Sequence, residues 1–171
     1  MAAGNYFLGR QNNFMVKLAS ANADEKTILE RLGLVKSRSS AVQLFDENFV
    51  VSRNHLIGAY VNALIAFKNG SNRTGSLALE MLLFAAMTEQ IGDALRIAGL
   101  KGGGNFIIFS SNVSIPSKLG ELVSLHEDFR PSLAEMRDRA VSLGINAKNM
   151  KSAEIDEALL QKIALARLTS D

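Results

Sequence analysis

The sequence predicts an α+β fold, in which a small mixed β-sheet packs against several α-helices within one domain spanning residues 1–171. A chain of 171 residues with 47% apolar content is long enough to bury one hydrophobic core. Several segments carry apolar residues at helical spacing, and short strand-like runs lie between them without a regular βαβ repeat. These three observations favour one α+β layer structure.

Residues 77–87 form the most apolar segment, because Glu80 is their only charged residue. A helix that is apolar on every side lies inside a core. The polar residues 88–90 interrupt this run, and a second helical pattern, with Ile91, Ala94, Leu95 and Ala98, leads to Gly99. We therefore expect two helices that meet at a polar corner.

The other predicted elements follow from caps and apolar runs. Strands are predicted at residues 6–9 and 14–18, which would pair as a hairpin, and at residues 42–45 and 106–109. The segment 106–109 is uniformly apolar, so we expect it in the middle of the sheet with both faces covered. Helices are predicted after the caps Asp24, Ser52 and Ser132, near residues 114–115 with Leu119, Leu122 and Val123 facing inward, and near residue 152.

The charge of the chain is small overall but unevenly distributed. The net charge of +2 excludes a polycation that holds nucleic acid by charge alone. No carboxylate lies between Glu47 and Glu80, a span that carries Arg53, His55, Lys68 and Arg73. The sequence leaves two interpretations open, a basic patch or chance clustering.

Cysteine is absent, which excludes disulfides and thiolate zinc sites and favours a reducing compartment. The first residues contain no apolar segment of the signal-peptide kind, and the longest uncharged apolar run, residues 81–87, is far shorter than a bilayer requires. We expect a cytoplasmic protein without a membrane partner.

The chemistry-bearing residues form no recognisable catalytic or metal-binding motif. His55 and His126 lack metal-ligand spacing, no GxSxG motif surrounds a serine, and the glycines 102–104 precede a strand, whereas phosphate-binding loops follow one. We expect no catalytic residue, metal or cofactor, with His55 at the rim of the sheet. Glu80, the one acid expected deep in the fold, should accept backbone N–H groups or pair with Arg53 or Arg73.

Several segments in the middle of the chain together resemble one family. They are SRNHLIGA at 52–59, ALIA at 63–66, Asn72, LEMLLFAA at 79–86, Gln90-Ile91 and Ala94-Leu95. This pattern resembles the small kinase-binding subunit of the KEOPS complex, the PRPK-binding protein family. The likeness covers residues 42–109 and extends to the terminal helix at 162–165.

The resemblance implies a subunit without catalytic activity that binds and regulates the small atypical kinase of KEOPS. It also implies contact with the tRNA 3′ CCA end, and indirect association with the threonylcarbamoyl transferase that makes threonylcarbamoyladenosine. The family's Ser-Gly and Arg-Gln-Ile positions correspond here to Ala86-Met87 and to residues 89–91. Glu89 thus replaces a cation and would repel phosphate.

The hypothesis assigns RNA contact to a group of basic and corner residues: Arg53, Lys68, Arg73, Gln90, Ile91 and Lys101. The cations would approach phosphates, while Gln90 and Ile91 would contact unstacked bases. Two alternatives remain open. One is a kinase-binding regulator without RNA binding, and the other is an unrecognised small α/β enzyme with a ligand-lined cavity.

Overall fold

A four-stranded sheet with helices on both faces organises the fold. The computed structural model describes residues 14–34, 39–102, 104–112 and 114–166. Within these ranges the strands are β1 (Met15–Ala21), β2 (Val42–Asp46), β3 (Asn105–Ser110) and β4 (Val123–Asp128). The helices are α1 (Glu25–Gly33), α2 (Arg53–Asn69), α3 (Leu77–Ala86), α4 (Ile91–Ala98), α5 (Ser117–Gly120), α6 (Leu133–Ser142) and α7 (Ser152–Leu165).

The strands have the order β2-β3-β1-β4, and all three pairings are antiparallel. The α+β class is therefore confirmed, but the expected mixed sheet is antiparallel, because apolar runs identify strands without giving their direction. Met15 pairs with Ser110 on β3, and β1 also pairs with β4. The predicted strand at 6–9 and its hairpin lie outside the described residues.

Strand β3 lies between two neighbours and is buried on both faces, as predicted. Ile107 and Phe109 belong to the larger core, with helices α2, α3, α4, α6 and α7. Phe106 and Ile108 point the other way into a smaller cluster beneath α1 and α5. Because successive side chains of a strand face opposite sides, the two cores account for its uniformly apolar sequence.

Helix α3 is the buried central helix that its composition predicts, with Leu77 and every residue of 80–86 buried. It runs antiparallel to α2, since His55 near the start of α2 contacts the carbonyl oxygen of Ala85 at the end of α3. Within the described residues, no helix combines the length and apolar character that crossing a bilayer requires.

Helices α2 and α7 run side by side in the same direction. The Asn54 amide donates to an Asp156 carboxylate oxygen at 2.6 Å near the starts of both helices. One turn further, a Cβ added to Gly58 would lie 2.2 Å from a methyl carbon of Leu160. The missing side chain of Gly58 therefore leaves the space that the Leu160 methyl group occupies.

The predicted helix near residues 114–115 is correct in place but too long. It is the single turn α5, which buries Leu119, and the chain then enters the edge strand β4. Leu122 and Val123 therefore lie beyond the helix, although both pack into the smaller core that also contains Leu119. Apolar and polar residues alternate over only the first four positions of β4, and its last four residues are exposed, so the sequence marks this strand only weakly.

Candidate interaction surface at the α3–α4 corner

The α2–α3 loop, residues 70–76, is fixed to α3 by the buried carboxylate of Glu80. Its Oε2 accepts the backbone N–H groups of Arg73 and Thr74 at 3.1 and 3.0 Å, and the Thr74 hydroxyl at 3.0 Å. This confirms the prediction that Glu80 serves backbone donors. The backbone of Arg73 is therefore held in place, while its side chain reaches the surface.

The α3–α4 corner, residues 87–90, begins with a tight end to α3. Met87 adopts a left-handed backbone with φ of 51°, and the N–H groups of Met87 and Thr88 donate to the carbonyls of Phe84 and Leu83. This is the Schellman arrangement, which favours glycine because a Cβ is strained at positive φ. The small residue that the family pattern has at this position is thereby explained.

An ion pair joins the loop to the corner. The guanidinium of Arg73 donates through Nη2 to Oε1 of Glu89. Both side chains are partly exposed. Sequence reasoning treated Arg73 as a cation available to phosphate or as a partner of Glu80, and Glu89 only as a source of repulsion. The signal that could have indicated this pair is the opposite charge of Arg73 and Glu89, which directly follow and precede Asn72 and Gln90 of the family pattern.

Helix α4 presents an exposed apolar face directly after the corner. Gln90 precedes its first turn and is exposed, while Ile91 and Leu95 are 40% and 46% exposed. Only Ala94 and Ala98 of the predicted apolar pattern are buried. Residues four apart lie on one side of a helix, so Ile91 and Leu95 form a continuous apolar surface next to Gln90.

The structure does not gather all the predicted RNA-binding cations into one patch. Arg53 and Lys68 lie at opposite ends of α2, about 22 Å apart at 1.5 Å per residue. Arg53 donates to the carbonyl oxygen of Phe14, and Lys101 pairs with Asp46 at 3.0 Å beyond the far end of α4. Lys68 is exposed in the last turn of α2, five residues before Arg73. Arg73 thus lies in the loop, Gln90 in the corner and Ile91 directly after it, whereas Arg53, Lys68 and Lys101 lie outside both segments.

His55 is buried between α2 and α3, so the prediction that it lies at the rim of the sheet is wrong. Its Nδ1 accepts the Val51 N–H at 3.3 Å, and its Nε2 contacts the carbonyl oxygen of Ala85 at 3.1 Å. Burial lowers the pKa of His55 from 6.5 to about 4, although the hydrogen bond to Ala85 partly opposes this. His55 is therefore neutral at pH 7 and adds no charge to a basic patch.

Two further apolar side chains are exposed near helix ends, Ile65 on α2 and Leu165 on α7, and together they are called the α2–α7 patch. These side chains are 50% and 54% exposed. Both lie near the carboxyl ends of the two parallel helices, where the register set by Gly58 and Leu160 brings them to the same end of the molecule. Sequence reasoning missed this patch, because helical spacing does not show which apolar residues remain uncovered.

A cleft between the end of β4 and the start of α6 contains charged side chains that already have structural partners. Arg139 donates to the carbonyl oxygen of Val50 at 3.0 Å and to Glu135 at 3.2 Å, and its guanidinium lies over the ring of Phe129. Ser132 donates to Glu135 in the predicted capping box, and these hydrogen bonds lower the pKa of Glu135. Among the described residues, no group of three metal-ligating side chains converges.

Comparison with known proteins agrees with the motifs in the middle of the chain. A family model described as kinase binding protein CGI-121 matches residues 20–166, which include every described helix and three complete strands. A comparison with curated proteins gave no match. The kinase-binding family predicted from the motifs is thus confirmed. The chain belongs to the CGI-121 family of kinase-binding proteins.

Proposed function

We propose that this chain is a non-catalytic subunit of the KEOPS complex that binds and regulates its small atypical kinase. In this proposal it also helps to recruit tRNA through the 3′ CCA end for threonylcarbamoyladenosine formation, and meets the threonylcarbamoyl transferase indirectly. The observation that carries the proposal is the match of residues 20–166 to a kinase-binding family. Four exposed apolar side chains also support a binding role: Ile65, Ile91, Leu95 and Leu165.

The kinase is assigned to the α2–α7 patch. An apolar side chain left exposed on a stable helix is a candidate anchor for a protein partner. Ile65 and Leu165 are the more exposed pair, and they extend from helices that are packed firmly together at Gly58 and Leu160. The apolar face of α4 lies beside Gln90 and is left to the RNA.

The RNA end is assigned to the loop and corner. Single-stranded RNA is bound by cations along its backbone and by flat or apolar side chains against its bases. Lys68 offers a charge, Gln90 offers an amide with donors and an acceptor, and Ile91 offers an apolar contact. Lys68 lies in the last turn of α2, just before the loop that leads to α3, and Gln90 and Ile91 lie where the corner passes into α4.

The kinase assignment is tested by titrating the purified kinase subunit with wild-type chain and with Ile65→Glu. We expect at least a tenfold loss of affinity, because the variant places a charge in a desolvated contact. Leu29→Glu is the matched control, since Leu29 is exposed on α1 at the opposite face of the sheet. Equal affinity for all three proteins would refute the assignment.

The RNA assignment is tested by comparing binding of tRNA with and without its terminal CCA. We expect tighter binding of the intact tRNA, and we expect Lys68→Glu to weaken it and to reduce the salt slope by about 0.7 for one lost phosphate contact. Lys118→Glu on α5 is the control of equal charge change.

The second candidate function is kinase regulation without RNA binding. The pairing of Arg73 with Glu89 favours it, because that pair occupies a cation of the proposed RNA surface. Retained kinase binding together with equal, weak affinity for both tRNA forms would select this function.

A further inference from the structure

We propose that Glu89 is an intramolecular competitor for Arg73, so that the α3–α4 corner limits its own affinity for an RNA end. This inference rests on the proposed RNA-binding function and adds a regulatory contact to that surface. The ligand class is a single-stranded RNA terminus, and the group that competes with Glu89 is a backbone phosphodiester.

Both partners of the ion pair are attached to rigid backbone. Glu80 binds the N–H groups of Arg73 and Thr74, which fixes the point from which the Arg73 side chain leaves the loop. The Schellman hydrogen bonds of Met87 and Thr88 fix the corner just before Glu89. A pair between anchored segments loses less conformational entropy on forming than one between mobile segments, which favours the closed contact.

The contact has a direct consequence for phosphate binding. A guanidinium presents the same donors to a carboxylate and to a phosphate, so Glu89 and RNA compete for Nη2 of Arg73. Release of Arg73 would also leave the Glu89 carboxylate near the bound phosphate, where like charges repel. The partial exposure of both side chains keeps the pair accessible for such an exchange.

The experiment is a double-mutant cycle on RNA affinity. Wild type, Glu89→Gln, Arg73→Gln and the double variant are titrated with intact tRNA and with tRNA lacking CCA, over a range of salt concentrations. We expect Glu89→Gln to bind intact tRNA about two- to fivefold more tightly, the range set by a partly exposed ion pair. Its salt slope should be steeper by about 0.7, which corresponds to one additional phosphate contact.

The Arg73→Gln background separates competition for Arg73 from the general repulsion between the Glu89 carboxylate and the RNA. There, Glu89→Gln should still relieve the repulsion between its carboxylate and the phosphate, but the gain in affinity should be clearly smaller than in wild type, because no guanidinium remains to be released. An equal gain in both backgrounds would show general repulsion and overturn the inference. Glu30→Gln is the control. It removes the carboxylate of the Lys26–Glu30 ion pair on α1, at the opposite face of the sheet, and it should leave the affinity for tRNA unchanged.

Two further outcomes distinguish this inference from the proposed function. In the first outcome, intact tRNA binds better than truncated tRNA, Arg73→Gln weakens the binding of intact tRNA, and Glu89→Gln has no effect. This outcome refutes the competition but leaves the RNA-binding function standing. If no variant distinguishes the two tRNAs, the RNA-binding function fails and the competition fails with it.

Discussion

The buried His55 should make the folded state less stable as the pH falls from 7 to 5. Its pKa is about 4 in the folded chain and about 6.5 when it is exposed on unfolding. As the pH falls below 6.5, His55 is protonated in the unfolded state but stays neutral in the folded state, so the free energy of unfolding decreases. At 1.36 kcal/mol per pKa unit, the loss between pH 7 and pH 5 is about 2 kcal/mol.

The pH window isolates this histidine from the carboxylates. Those whose pKa values are lowered in the fold, Asp24, Asp46 and Glu135, lose their stabilising contributions mainly below about pH 5. Urea unfolding of wild type and His55→Gln at pH 7, 6 and 5 measures the effect. The wild type should lose about 2 kcal/mol, and the variant should lose much less, whatever its absolute stability.

A matched control and a direct titration complete the test. His126→Gln removes the other histidine, which is exposed and hydrogen-bonded to Ser20, and it serves as the matched variant for the loss of an imidazole. The imidazole signals of His55 in the folded protein, followed by NMR, should shift with a midpoint near pH 4. A midpoint near 6.5, or an equal pH dependence in His55→Gln, would refute the burial argument.

Two other substitutions test the packing that positions the binding surfaces. Gly58→Ala should lower the free energy of unfolding in the wild-type background, because the new Cβ meets Leu160. In a Leu160→Ala background the same change should raise the free energy of unfolding by about 1 kcal/mol, because alanine favours a helix more than glycine does. Chemical denaturation of the four proteins measures the coupling between the two positions, and additive effects would contradict the contact between residue 58 and Leu160. At the corner, Met87→Gly should be more stable than Met87→Ala by about 1 kcal/mol in thermal and urea unfolding, because its φ of 51° penalises any Cβ. Ala78→Gly within α3 is the control, because there glycine should be less stable than alanine. If Met87→Gly were less stable than Met87→Ala, the proposed backbone strain at Met87 would be disproved.

Local signals in the sequence were sufficient for most helices. Asp24, Ser52 and Ser132 accept the backbone N–H groups that their positions predict, and Gly70 has the positive φ expected after a helix end. These interactions involve residues three or four apart, so a single chain segment contains both partners. The edge strand β4 lacks such a signal, because its pairing partner β1 lies about a hundred residues earlier.

The sequence by itself determined the α+β class, the buried α3 and the kinase-binding family, and it placed Glu80 inside the fold without deciding its partners. Only the tertiary structure decided that His55 is neutral inside the helix layer, that Lys101 pairs with Asp46, and that Arg73 pairs with Glu89. The reason is physical: apolar spacing and caps act within a few residues, whereas charge pairing and burial depend on segments brought together by folding. Whether a cation is available to RNA therefore depends on the tertiary structure, because folding decides which carboxylates lie beside it.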